Sequence, residues 1–384
     1  MFDFLFDYAS LRLIWWVLLG VLLIGFAVAD GFDLGVGALL PFVARTDQER
    51  RTAITTIGPV WEGNQVWFIL GGGAIFAAWP ALYALSFSGF YLAMFVVLAA
   101  MILRPVGFKY RSKRPGARWR QGWDIALCIG GAVPALIFGV AVGNTLQGVP
   151  FHFTDNLRPI YEGSFFGLLN PLGLYCGIVS LVMVAMHGAA WLAFKAEGPV
   201  ADRAADFGVK LGLGTAGLFA FGGVLVAFGL LGGYAVVGTQ VLDGPSNPLL
   251  KDVVAAPRAW LSNYAAHPSL VVVPFLGIAG PLLAALGFRT RKDGMTFIAS
   301  ALGVVGIVAT VGVSMFPIIL PSSTNPAQSL TVFDASSSEA TLRNMLIATT
   351  IFLPIVLAYT AWVYKVLWGK VTADDVEASG SAAY

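Results

Sequence analysis

Three carboxylates lie in stretches otherwise suited to a lipid bilayer. Asp30 and Asp33 fall in "AVADGFDLGVG", and Glu62 falls in "GPVWEGNQVW", just before the apolar "FILGGGAIFAAW". An ionised acid in hydrocarbon is costly, so such residues face the protein interior or water and often serve as proton relays. An acid so placed can be tuned to bind and release a proton near neutral pH, which is what a relay needs. Asp30 and Asp33 are three residues apart and share a helix face. The first apolar run ends near Val43 and the next begins near Thr52, which sets Asp33 ten residues before one end and Glu62 ten residues past the other. At about 1.5 Å per residue, both sit about 15 Å from the same side, so the two acids are expected to meet at one depth on neighbouring antiparallel helices. The plainer reading is that they are neutral and hydrogen-bond the helices together, as Asn64 and Gln65 would. Arg104, at the inner end of the third run, is a candidate ion-pair partner for an acid, or an arginine that snorkels to the interface.

The elements that must position these groups are membrane spans. Of 384 residues, 58% are apolar and 11% charged, and mean hydropathy is +0.79. That composition places the chain among all-α polytopic membrane proteins. Runs long enough to span occur at roughly 11–43, 53–77, 82–107, 123–146, 166–194, 209–235, 268–288, 295–317 and 342–367. The expectation is nine transmembrane helices in two packed bundles, forming one domain over 1–370, with a mobile cytoplasmic tail at 371–384. With the N-terminus outside, eighteen of the 23 Lys and Arg residues fall on inner segments, as the positive-inside rule requires. The protein is therefore expected in a bacterial inner membrane, N-terminus periplasmic and C-terminus cytoplasmic. The first run is read as a span of the mature protein, because Asp3 and Asp7 precede it where a signal peptide would be basic. Asp124, beside the basic loop at 104–122, reads as a solvated ion pair. Trp15, Trp16, Trp79, Trp191, Trp362 and Trp368 lie near helix ends, as in an aromatic belt. The outer loops at 236–267 and 318–341 are rich in Pro, Ser and Asn and are expected to be ordered or to dock a partner.

Other chemistry is poorly supplied. Of three histidines, only His187 lies in a span, whereas haem-binding bundles present inward histidines, commonly in facing pairs. A hydrogen-bonded core histidine is its default reading. Cys128 and Cys176 both sit in apolar runs, and no metal or covalent-haem motif occurs. No Walker-type loop is present, and a net charge of +2 does not suggest nucleic acid. The 45 glycines, "GGG" at 71–73 and Gly20 and Gly25 among them, suit close helix packing.

Several long blocks carry a resemblance: "LRLIWWVLLGVLLIGFAVADGFDLGVG", "WEGNQVWFILGGGAIFAAWP", "SGFYLAMF", "RPVGFKYRSK", "GNTLQGVPF", "NPLGL", "SMFPIILPSST" and "SLTVFDASSS". Spread over essentially the whole chain, they resemble subunit II of the cytochrome bd-type ubiquinol oxidase. The resemblance implies a subunit, itself without haem, of a quinol oxidase in bacterial inner membranes. That enzyme reduces oxygen to water and contributes to the proton motive force without pumping. It also implies that haems b and d and the quinol site belong to a companion subunit I. A small single-helix accessory subunit and a structural ubiquinone in this subunit are further partners that the family admits. By the same resemblance, Asp33 and Glu62 match the acids of a proton path from the cytoplasm, the second of which can be aspartate elsewhere in the family and is Glu62 here. Trp67 matches a tryptophan of the oxygen access route.

A competing reading from another class is a proton-coupled secondary transporter, since "ADGFD" places paired acids near the midplane. Against it, the sequence shows no inverted repeat. A structural partner whose acids only pack is a third reading.

Overall fold

The computed structural model describes residues 7–238 and 240–378. Helix α1 (Tyr8–Val43) opens with the Asp7 carboxylate accepting from the Ser10 N–H. A reciprocal capping box between Thr46 and Glu49 starts α2 (Asp47–Ile57). The chain then turns at Gly58–Val60, where Pro59 supplies no N–H, and continues as α3 (Trp61–Ala78). The single span expected over 53–77 is therefore two helices. The third expected span is likewise broken, into α4 (Pro80–Gly89), α5 (Tyr91–Met101) and α6 (Leu103–Tyr110). Then come α7 (Ala117–Gln147), α8 (Pro171–Lys195) and α9 (Pro199–Ala227), the last two with Pro at the first helical position. Helix α9 begins and ends about ten residues before the span expected at 209–235, because Pro199 starts it early and "GGYAVV" pairs as a strand. A short α10 (Ser262–Ala266) precedes α11 (Val272–Thr290), α12 (Asp293–Met315), α13 (Glu339–Val366) and α14 (Ala373–Ala378).

Among the described residues, eight helices are long and apolar enough to cross a membrane. Helix α3 falls outside that set because Glu62, Asn64 and Gln65 crowd its first turn, although it packs along α1. The ninth crossing expected from the sequence therefore depends on α3, whose 18 residues span about 27 Å. Helices α8, α9, α11 and α12 close one ring of contacts, while α1, α3, α4, α5 and α7 form a second. Helices α1, α7 and α8 join the two rings, and α13 packs mainly on α1 and α3 among the described residues.

The joints between rings are glycine crossings. A Cβ on Gly188 would collide with the Gly35 backbone, and one on Gly139 with the Cys176 carbonyl and Gly177. The run at 71–73 does not serve this way, since Gly72 and Gly73 face open space. Gly188→Val is therefore expected to cost at least the ~1–3 kcal/mol of ordinary overpacking, because backbone cannot move aside as a side chain can. It should lower the melting temperature of the purified complex, while Gly72→Ala leaves it unchanged; equal melting would contradict this account of the joint.

Three antiparallel hairpins cap one end: β1 (Phe151–Phe153) with β2 (Pro159–Tyr161), β3 (Gly232–Val237) with β4 (Asp252–Pro257), and β5 (Ile318–Leu320) with β6 (Leu330–Thr331). The loops are cross-linked, with the Phe153 N–H donating to Gln328 at 2.6 Å and buried Lys251 paired with Asp334 at 2.6 Å. Arg12, fully buried at the start of α1, donates to the Leu242 and Gly244 carbonyls and to Ser336. Trp79 is buried beneath this cap and Trp191 in the core against Phe32. Trp15, also buried, donates to the Leu342 carbonyl, so these three tryptophans are not a belt. Trp362 and Trp368 are exposed.

The opposite end is charged. Asp124 is 2% exposed and held by Arg111 at 2.5 Å and Arg50 at 2.8 Å, so it is a buried hub and not a solvated pair. Glu49 pairs with Arg203 of α9 at 2.5 Å. Partial burial works to raise the Glu49 pKa, but Arg203 and the Arg45 and Thr46 N–H groups outweigh it and hold the carboxyl below its usual range. The tail expected to be mobile is docked as far as Ala378. The Val371 N–H donates to the Lys195 carbonyl at 2.7 Å, and α14 packs on α2 with Val376 buried. Residues 379–384 of that tail lie outside the described residues.

Candidate functional site

Four helices converge on a buried polar cluster. Asp30 and Asp33 project from α1, less than one turn apart, and both are essentially inaccessible. Arg104, from α6, reaches across with both terminal nitrogens to the two Asp30 oxygens, at 2.7 and 3.1 Å. The planar guanidinium matches the carboxylate plane, and Trp61 covers it at 5.7 Å. Asp33 is held differently. Asn64 of α3 donates to Asp33 Oδ2 at 2.8 Å and accepts from the Tyr364 hydroxyl of α13 at 2.7 Å. The second oxygen, Asp33 Oδ1, is buried without a hydrogen-bond partner.

A cavity opens beside Asp33. Asp33, Arg104, Val36, Gly37, Leu40, Ile54, Ile57, Phe108, Leu127 and Gly131 line it. Its volume of about 10 Å³ for water centres is near the minimum that holds one water molecule. From Asp33 the lining runs along α1 to Ile54 and Ile57 of α2, the helix that carries the Arg50 and Glu49 pairs of the charged end.

The sequence-derived residues divide here. Asp30, Asp33 and Arg104 come together as one site. Glu62 does not join them: it is exposed in the first turn of α3, and Asn64, two residues on, takes the place beside Asp33. A two-residue step turns the helix by about 200°, so Glu62 points away when Asn64 points inward. Glu62 begins an outward stripe with Val66, Ile69, Gly73 and Phe76. Trp67 lies against Gly25 of α1, where a Cβ would meet its ring at 2.6 Å. Tyr364 went unnoticed in the sequence; its polar hydroxyl inside the last span was the available signal.

His187 has both ring nitrogens occupied. Ser300 lies at 2.8 Å from Nδ1, and the Val28 carbonyl at 2.9 Å from Nε2. The ring is fully buried and stacked on Phe297 at 5.1 Å. Because a carbonyl can only accept, Nε2 carries the proton. Among the described residues no group of three or more His, Cys, Asp or Glu is placed to hold a metal ion.

A sequence model described as Cytochrome bd terminal oxidase subunit II matches residues 11–367. The chain belongs to the cytochrome bd terminal oxidase subunit II family. It is 48% identical to the cytochrome bd-I ubiquinol oxidase subunit 2 of Escherichia coli K12, over 98% of this chain and all of that protein. It is 47% identical to the probable cytochrome oxidase subunit 2 of Haemophilus influenzae, with the same coverage. A solved bd oxidase from Geobacillus thermodenitrificans shares the fold, with a TM-score of 0.65 over 93% of this chain and 98% of that one, at 16% identity. Membership makes the chain one subunit of a ubiquinol oxidase, an oxidoreductase complex of the bacterial inner membrane. It implies a subunit I partner and haems held there. Nothing in these comparisons supports the carrier reading. His187, with both nitrogens bonded, does not fit an axial haem ligand.

Proposed function

We propose that this subunit II conducts protons from the cytoplasm to subunit I, with Asp33 as the buried relay and Glu62 as the exit. The observation that carries the reading is that Asp33, with one buried oxygen lacking a hydrogen-bond partner, lines a cavity whose wall continues to α2 at the charged end. One water in that cavity would satisfy the oxygen and link it toward α2. Asn64 holds the other oxygen, so the carboxyl is fixed while it gains or loses a proton. Arg104 neutralises Asp30 and leaves Asp33 as the acid free to titrate. The charged end, rich in arginine, is assigned to the cytoplasm, with the N-terminus and the hairpin cap in the periplasm.

Glu62 supports the exit role by its exposure. A carboxylate facing hydrocarbon is expensive, so the stripe Glu62–Val66–Ile69 is read as covered by protein, namely subunit I. Haems held by that companion would supply the electron transfer to oxygen; this chain's residues bind, hold and pass protons. Trp67, wedged on Gly25 beside the same helix, is read as a wall of the oxygen route. A structural ubiquinone and a single-helix accessory subunit remain family-based proposals for the complex.

Glu62→Gln tests the exit. It is expected to cut oxygen consumption by the purified complex severalfold with haem content and subunit ratio unchanged. Turnover at the parent rate would end the proposal for Glu62. Trp67→Ala is expected to shift the apparent oxygen affinity with the quinol KM unmoved; the reverse pattern would remove Trp67 from the oxygen route.

A further inference from the structure

The segment joining α6 to α7 is the most basic in the chain, and its charges are unevenly used. Arg104 is committed to Asp30, Arg111 to Asp124 and Asp47, and Arg120 to Asp47. Lys109, Lys113, Arg114 and Arg118 are exposed, and none of them forms an ion pair with a carboxylate among the described residues. The turn that carries them is fixed. Trp119 donates to the Tyr110 carbonyl at 3.0 Å, Arg114 lies over the Trp119 ring at 4.9 Å, and buried Arg111 pins the turn to α2 and α7.

Below these cations run two exposed apolar stripes. On α7, Arg118, Gly122, Ile125 and Ile129 follow one another at helical spacing, and a Cβ on Gly122 would meet nothing, which leaves the surface open there. On neighbouring α6 and the residue before it, Ile102 and Pro105 lead to Lys109 in the same sense. Each stripe is apolar on the membrane side and cationic at the helix end. From Arg118 to Ile129 the rise is about 16 Å, close to half of a hydrocarbon core about 30 Å thick. Tyr110, half exposed, and Trp119 and Trp123, partly exposed, flank the junction as interfacial aromatics do.

We propose that this surface is a binding site for an anionic phospholipid of the inner leaflet. The phosphate lies against Lys113, Arg114 and Arg118, and one acyl chain lies along Gly122, Ile125 and Ile129. Charge complementarity selects the occupant: several uncompensated cations on a preformed turn favour a negative headgroup over a zwitterionic one. The apolar stripe distinguishes a lipid from a free phosphate ion, which would use the cations alone.

The experiment takes the intact, delipidated oxidase complex in a neutral detergent and titrates it with phosphatidylglycerol, counting bound lipid by native mass spectrometry. The parent complex is expected to bind phosphatidylglycerol at least tenfold more tightly than phosphatidylcholine. The triple variant K113Q/R114Q/R118Q is expected to lose that preference while keeping parent oxygen consumption in detergent. Gly122→Trp, which blocks the acyl groove and keeps the charges, is expected to weaken phosphatidylglycerol binding as well. Equal affinity of parent and triple variant, or equal affinity for the two lipids, would overturn the site. Displacement of the lipid by millimolar inorganic phosphate, with Gly122→Trp inert, would overturn the lipid assignment in favour of a soluble anion.

Discussion

Asp33→Asn is expected to lower oxygen consumption by the assembled complex at least tenfold while leaving its haem content and stability near the parent's. Tenfold corresponds to about 1.4 kcal/mol added to the barrier of the slow step. The substitution is nearly isosteric. The carbonyl of the introduced amide can still accept from Asn64, and its NH2 group can donate to water where Oδ1 now lacks a partner. What disappears is the titratable proton. If Asp33 only fastened α1 to α3, an asparagine would do that work as well, and Asp33→Ala alone would be harmful. If Asp33 carries protons, the Asn and Ala variants should be similarly slow, and only the Ala variant should also lower the melting temperature. A fully active Asp33→Asn complex would return the cluster to its structural reading.

How far the sequence revealed this site depends on which physical rule applied. Asp30 and Asp33 were legible because a charge in an apolar run must be satisfied inside the protein, and two acids three residues apart must share a face. The spans were legible because about 20 apolar residues leave the backbone no alternative to helix. Depth, however, says nothing about rotation. Counting residues placed Glu62 level with Asp33 but could not show that Pro59 interrupts the helix and resets its phase, which turns Asn64 inward and Glu62 outward. The tryptophans misled for a related reason. A ring near a helix end suits an interface only if the end is bare, and here folded loops bury Trp15 and Trp79. Those loops were recognised as ordered from their Pro, Ser and Asn content, but their hairpin pairing rests on contacts such as Lys251–Asp334, 83 positions apart, which local patterns do not encode. Tyr364, 300 positions from Asn64, was out of reach in the same way.

Arg104→Gln should be the most damaging single change in the cluster, and the fault should be in assembly before catalysis. Arg104 and Asp30 are both almost inaccessible, and the pair is bidentate. Forming such a pair gains little net stability, because two ions leave water. Removing one partner is different: the remaining Asp30 is a buried charge with nothing opposite it and Asp33 one turn away, at a cost of about 3–5 kcal/mol. Net stabilities of domains are only about 5–15 kcal/mol, so the complex should accumulate poorly and lose haem on purification. The decisive comparison is the double variant D30N/R104Q, in which two neutral amide side chains can hydrogen-bond each other in the same space. It is expected to recover most of the assembled complex, because the destabilisation comes from the stranded charge and not from lost packing. If the proton route runs through Asp33 alone, the double variant should also keep measurable oxygen consumption. Were it no better assembled than Arg104→Gln, the arginine would be acting through its contact with Trp61 and its packing on α7, and the assignment of Asp30 as its charge partner would lose its energetic basis.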